Sequence, residues 1–92
     1  MLQGSGIAAM PLQELDFHVR LTPAEQRVVW YLSEGLGDED IAASCGSSVR
    51  AVRGTLHRFY EKTDLGYRRA AIWAYRHREC CLQIDPRKAV RM

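Results

Sequence analysis

GDEDIAASCGSSVRAVRGTLHRFYEK, residues 37–62, contains two helix-forming segments separated only by the tight turn Cys45-Gly46-Ser47. Asp38-Glu39-Asp40 opens the first, where carboxylates favour the positive end of a helix dipole. Ile41, Ala42 and Cys45 face inward, and Gly46 ends the segment. Ser47 and Ser48 offer caps for the second, which is expected to run to about Lys62. Placed at ~100° per residue, Val49, Val52, Leu56, Phe59 and Tyr60 fall on one arc of that helix. Arg50, Arg53, Gly54, His57, Arg58 and Glu61 fall on the opposite arc. The helix is therefore anchored by an apolar side and presents a basic one. Two short helices around such a turn make a helix-turn-helix unit.

Upstream, Thr22-Pro23-Ala24-Glu25 reads as a helix start. Thr22 caps, Pro23 suits the first helical position and Glu25 closes a capping box. Val28, Val29, Leu32 and Leu36 supply an apolar face, and Gly35 and Gly37 stop the helix. Downstream, Asp64, Gly66 and Tyr67 break the chain again. A fourth helix is expected from about Arg68 to Cys81, with Ala71, Ile72, Trp73, Tyr75 and Leu82 as bulk. The fold class is all-α: a four-helix bundle containing a helix-turn-helix, with no strand candidates. Residues 1–20 read as an N-terminal arm or linker, in which Leu12, Leu15, Phe17 and Val19 could touch the domain. Residues 21–82 form the domain and 83–92 a basic tail.

The formal charge is only +2 over 92 residues, too little by itself to argue for a polyanion partner. Its distribution is more informative. Residues 21–47 carry Glu25, Glu34, Asp38, Glu39 and Asp40 against Arg27. Residues 48–69 carry Arg50, Arg53, Arg58, Lys62, Arg68 and Arg69 against Glu61 and Asp64. A nearly neutral chain thus has a basic half that a polyanion could meet while the acidic half faces away.

No catalytic constellation is visible: there is no glycine-rich phosphate loop, no paired carboxylates in a pocket and little room for a cleft. The chain reads as a non-enzyme without cofactor. Cys45, Cys80 and Cys81 form no disulfide framework and read as reduced thiols of a cytoplasm. His77, Cys80 and Cys81 lie close in sequence, and His18 and Cys45 are the only other candidates for metal ligands. No second cluster at zinc spacing accompanies them, so no metal site is expected. No signal peptide and no membrane span are expected.

The order Leu21-Thr22-Pro23-Ala24-Glu25, Val28, Leu32, Glu34-Gly35, Ile41-Ala42, Ser48, Val52, Leu56, Tyr60, Lys62 and Arg68 resembles the LuxR/GerE-type DNA-binding domain, also found as the output domain of response regulators. The resemblance spans roughly Leu21 to Tyr75. It implies that the third helix enters the major groove and that the fourth pairs with a second subunit. Carried over, Arg53, Gly54 and His57 would read bases. Ser48, Arg50, Arg58 and Lys62 would lie near phosphates, with Arg68 beside them. The chain departs from the family at Ala51, Thr55, Gly37-Asp38-Glu39 and Tyr67.

His57 reads equally as a DNA contact or as an exposed side chain. Gly54 reads either as tolerated imperfection or as room for close approach to DNA. Ile72, Trp73, Tyr75 and Arg76 are the candidate dimer surface, because a short helix cannot bury all of its bulk on one side. Ile72 is read as core and Trp73 is left open. The expected function is a bacterial, cytoplasmic, nucleoid-associated regulator that binds promoter duplex DNA as a homodimer. Its half-sites would lie about one helical turn, or a multiple, apart. Two alternatives share the fold: a protein-interaction module contacting RNA polymerase or another regulator, and the promoter-reading domain of a sigma factor.

Overall fold

A computed structural model describes residues 15–82 and Pro86. The 1–14 segment, with Leu12, and the tail residues Arg87, Lys88 and Arg91 lie outside the described residues. Thr22 Oγ1 accepts from the Glu25 backbone N–H at 3.1 Å, and Glu25 Oε1 accepts from the Thr22 N–H at 3.0 Å. This reciprocal pair starts α1, Pro23–Ser33, with Pro23 in its first turn. Gly35, at φ 85°, turns the chain out of it. α2, Asp38–Cys45, has no side-chain cap, and its first turn carries three acids, whose charge favours the positive end of the helix dipole. Gly46 ends α2 in the left-handed conformation at φ 63°, which glycine adopts without steric cost. Ser48 Oγ accepts from the Ala51 N–H at 3.0 Å and starts α3, Val49–Thr63. α4 follows as Tyr67–Arg76. The regular secondary structure of the described residues is thus all-α, with these four helices and no strand.

α4 stops five residues before the expected end at Cys81, and the cause is tertiary. The His77 ring turns inward, where Nε2 lies 2.7 Å from the Leu15 carbonyl oxygen and the ring stacks on Trp73 at 4.5 Å. The N–H groups of Cys80, Cys81 and Leu82 then converge on the His77 carbonyl at 3.3, 2.9 and 3.2 Å. That closed turn carries Leu82 into the core.

The largest fully buried side chains are Trp73, Phe59, Leu15, Leu32, Ile41, Leu82, Val29 and Val52. α1 packs on α3 and α4, and α2 packs on α3. The segment 15–22 lies along α4 rather than forming a linker. Leu15 is buried, Phe17 stacks on Trp73 at 5.7 Å, and Trp73 Nε1 donates to the Phe17 carbonyl at 3.0 Å. The packed unit therefore begins at or before Leu15, ahead of the boundary expected at Leu21. The same contact corrects the reading of α4. Trp73 is wholly buried and cannot join a dimer surface, whereas Ile72, read as core, is 39% exposed. No helix of the described residues is long and apolar enough to cross a membrane.

One ion pair ties the ends of α1 and α3. Lys62 Nζ sits 2.7 Å from Glu25 Oε1 and donates to the Arg20 carbonyl at 3.1 Å. Burial of Glu25 works against its charge. The Lys62 hydrogen bond, the Thr22 N–H, and the positive charges of Lys62 and Arg58 outweigh it and hold the carboxyl below its ordinary value of 4.5. A carboxyl with a depressed folded-state pKa stabilises the fold above its unfolded value and loses that contribution as pH falls through the folded one. Glu25→Gln should cost about 1–2 kcal/mol at neutral pH. It should also flatten the acid limb of stability below pH 4.5, read from urea midpoints across pH.

Candidate functional site

α3 is two-sided in a way that its packing makes explicit. Val52, Leu56 and Phe59 are buried beneath it, while Arg50, Arg53, His57 and Arg58 stand exposed along its outer arc. α2 and α1 pack against the inner side of α3, so the outer arc faces away from the core that Val52 and Leu56 enter.

Individual side chains on that arc differ in what holds them. Ser48 caps α3 through its oxygen lone pair, which leaves its hydroxyl proton able to donate outward. Arg53 Nε pairs with Asp38 Oδ2 at 2.9 Å, from a side chain that is 68% exposed. His57 Nε2 lies 3.2 Å from Glu61 Oε2, one helical turn on. Arg58 Nη2 donates to Thr55 Oγ1 at 3.4 Å. Thr55 is thus a buried hydroxyl that accepts from an arginine. Gly54 has no structural demand on it: a Cβ there would meet only Arg58 Nη1, at 3.8 Å. Arg68 is exposed on the first turn of α4. Lys62 differs from the rest, because its ammonium is turned onto Glu25 and Arg20 and serves the fold.

Neighbouring groups set the local chemistry. Burial, and the negative charge of Asp38, push the Tyr60 phenol up from its ordinary 10.0. Burial pushes the Cys45 thiol up as well, against the pull of Arg27, so this sulfur is a poor nucleophile. On α4, Ile72 and Tyr75 are exposed. Arg78 places its guanidinium 4.7 Å from the Trp30 ring and 5.0 Å from the Tyr75 ring. Arg76 pairs with Asp16 across the 15–22 segment. Of the candidate dimer residues, Ile72, Tyr75 and Arg76 therefore remain at the surface.

A second cluster runs against the expectation that the chain holds no metal site. His18, His77, Cys80 and Cys81 place one ligand atom each within 4.8 Å of all the others. None of Cys45, Cys80 and Cys81 is in a disulfide. His77 is buried, Cys81 half-buried, and His18 and Cys80 exposed. The sequence signal was the group His77-x-x-Cys80-Cys81. What it lacked was the fold of 15–22 across α4, which supplies His18 from 63 residues away.

Comparison of the chain with protein-family models, with curated proteins and with solved structures finds no match.

Since the fold makes no use of the missing Cβ at position 54, Gly54→Ala should raise stability by about 0.5–1 kcal/mol through helix propensity alone. A shift of the urea midpoint to higher concentration checks this. A loss of stability would mean that the α3 backbone needs glycine for a reason internal to the fold.

Proposed function

We propose that this chain is a sequence-specific DNA-binding regulator of the LuxR/GerE helix-turn-helix type, which lays α3 in the major groove. One observation supports the reading: four basic or titratable side chains, Arg50, Arg53, His57 and Arg58, line the exposed arc of a helix whose other side packs into the core through Val52, Leu56 and Phe59. A helix about 10–12 Å across fits the B-DNA major groove, which is about 12 Å wide. Arginine forks match guanine edges bidentately and phosphates equally well. Arg53 and His57 are the base readers, and Gly54 between them lets the helix approach closely. Arg50, Arg58, Arg68 and the Ser48 hydroxyl take phosphates. Lys62 contributes by fixing the end of α3 against α1.

Arg53 is engaged with Asp38 in the free protein, so binding exchanges one anion for another. Exposed ion pairs are worth only about 0–1 kcal/mol, and releasing this one costs little. The test is anisotropy titration against a pool of random duplexes at two salt concentrations, with sequencing of the bound fraction. Arg53→Ala should cost about 1–3 kcal/mol and relax selection at one base position. Arg50→Ala should weaken all sequences alike and lower the salt slope by about 1. An equal loss on every sequence for Arg53→Ala would make it a phosphate contact instead.

The regulator acts as a symmetric dimer through α4, with Ile72 and Tyr75 at the seam and Arg76 at its edge. A two-fold symmetric enriched motif, and a sedimentation shift to dimer on DNA that Ile72→Glu abolishes, are the expected outcomes. A strict monomer with and without DNA would remove the dimer.

A protein-interaction module is the second reading, favoured by the acids Asp38, Glu39 and Asp40 beside the arc and by the Arg53–Asp38 pair itself. Asp38→Asn separates the two. On the DNA reading it frees Arg53, removes a charge that repels phosphate, and tightens binding. On the interaction reading duplex binding stays absent at low salt in both the parent and the variant.

A further inference from the structure

We infer that His18, His77, Cys80 and Cys81 form a structural zinc site that clamps the 15–22 segment to the end of α4. The donor set is the first argument. Two thiolates and two imidazoles are a complement that tetrahedral Zn²⁺ takes in structural sites, with Zn–S near 2.3 Å and Zn–N near 2.0–2.1 Å. A regular tetrahedron with those bond lengths has edges of about 3.4–3.8 Å. Four of the six edges are close to that. Cys80 Sγ and Cys81 Sγ are 3.6 Å apart, and Cys81 Sγ and His18 Nδ1 are 3.6 Å apart. Cys81 Sγ and His77 Nδ1 are 4.0 Å apart, and Cys80 Sγ and His77 Nδ1 are 3.1 Å apart. Every remaining pair is within 4.8 Å. Side-chain movements of about 1 Å, mostly of the exposed His18, close the wider pairs and bring the four to a common centre.

The second argument is the outer partner of His77. Its Nε2 lies 2.7 Å from the Leu15 carbonyl. A carbonyl only accepts, so Nε2 carries the proton and Nδ1 directs its lone pair at the sulfurs. Such an outer hydrogen bond commonly fixes the tautomer of a metal-ligating histidine. The Trp73 ring, stacked at 4.5 Å, holds the imidazole plane from one side. An open depression lined by His18, Leu21, Gln26, Cys80 and Cys81 gives an ion a path from solvent. On binding, the two thiols release their protons to solvent and Zn²⁺ takes their place, with no change in oxidation state.

The site joins residues from both ends of the described chain, so it acts as a staple on a small core. It is independent of what the α3 arc binds.

The test uses the full chain under a non-thiol reductant, titrated with Co²⁺ as a spectroscopic substitute and then with Zn²⁺. One equivalent should give thiolate-to-cobalt charge transfer and the intense visible bands of a tetrahedral ion, and Zn²⁺ should displace them. Cys80→Ser and Cys81→Ser should each abolish the charge-transfer signature of the two-thiolate site. His18→Ala, at an exposed position, should leave the metal-free fold unchanged by circular dichroism and weaken binding by at least about tenfold, the lower end of what even outer-partner changes cost. Zn²⁺ should raise the melting temperature of the parent and leave that of His18→Ala nearly unmoved. The site is overturned if Co²⁺ gives no thiolate absorption, or if the spectrum and affinity are unchanged in His18→Ala. That second result would reduce the cluster to adventitious capture by two adjacent cysteines.

Discussion

Trp73 is the side chain on which the rest of this molecule depends. Its ring meets Phe17 from the N-terminal segment, Phe59 from α3 and His77 from the turn after α4, with centroid separations of 5.7, 5.5 and 4.5 Å. An indole buried on all sides must also satisfy its one N–H donor, and the Phe17 carbonyl does so. That bond fixes the middle of the 15–22 backbone against α4. Once the segment lies there, Leu15 is buried, its carbonyl meets His77, and His77 sits as the C-cap of α4. The early end of α4, the burial of Leu82 and the approach of His18 to the cysteines all follow from one large side chain finding cover.

The outer arc of α3 depends on the opposite condition. Val52, Leu56 and Phe59 hold one side of the helix so firmly that nothing in the domain needs to cover the other. Interior packing alone is worth several kcal/mol at such positions. The basic residues opposite can therefore answer to a ligand rather than to the fold. Lys62 marks where that freedom ends, since it lies on the last turns of the helix and answers to Glu25.

What could be read from the chain in advance was whatever local chemistry decides. Thr22 and Glu25 are three residues apart, and Gly46 sits between two amphipathic segments, so each feature carries its own signal. Ile72 and Trp73 show the limit. They are adjacent apolar residues on one helix, and no local pattern says which faces inward. The choice is made by Phe17, 56 residues away in sequence from Trp73. The end of α4 is similar, because no glycine or proline stands between Trp73 and Leu82 to announce it. Lys62 read as part of a basic surface for the same reason, its partner Glu25 being 37 residues distant. The metal-ligand types were visible as residues, and the polyhedron was not, since a sequence separates His18 from Cys81 as widely as the fold brings them together.

These long-range ties meet in one short stretch of backbone. His18 lies against Cys81, the Arg20 carbonyl accepts from Lys62, and Thr22 and Glu25 close the cap of α1. Residues 18–25 thus connect the sulfur cluster at the end of α4 to the C-terminal turn of α3 through a few peptide units. Backbone that crosses a surface without a helix or strand of its own is ordinarily the first part of a domain to open. Here it is held at every second or third residue by a side chain from elsewhere, and an ion at His18 would add the strongest of those holds. The strip thereby ties α4 and the end of α3 to the start of α1, in addition to the direct packing of α1 on both helices.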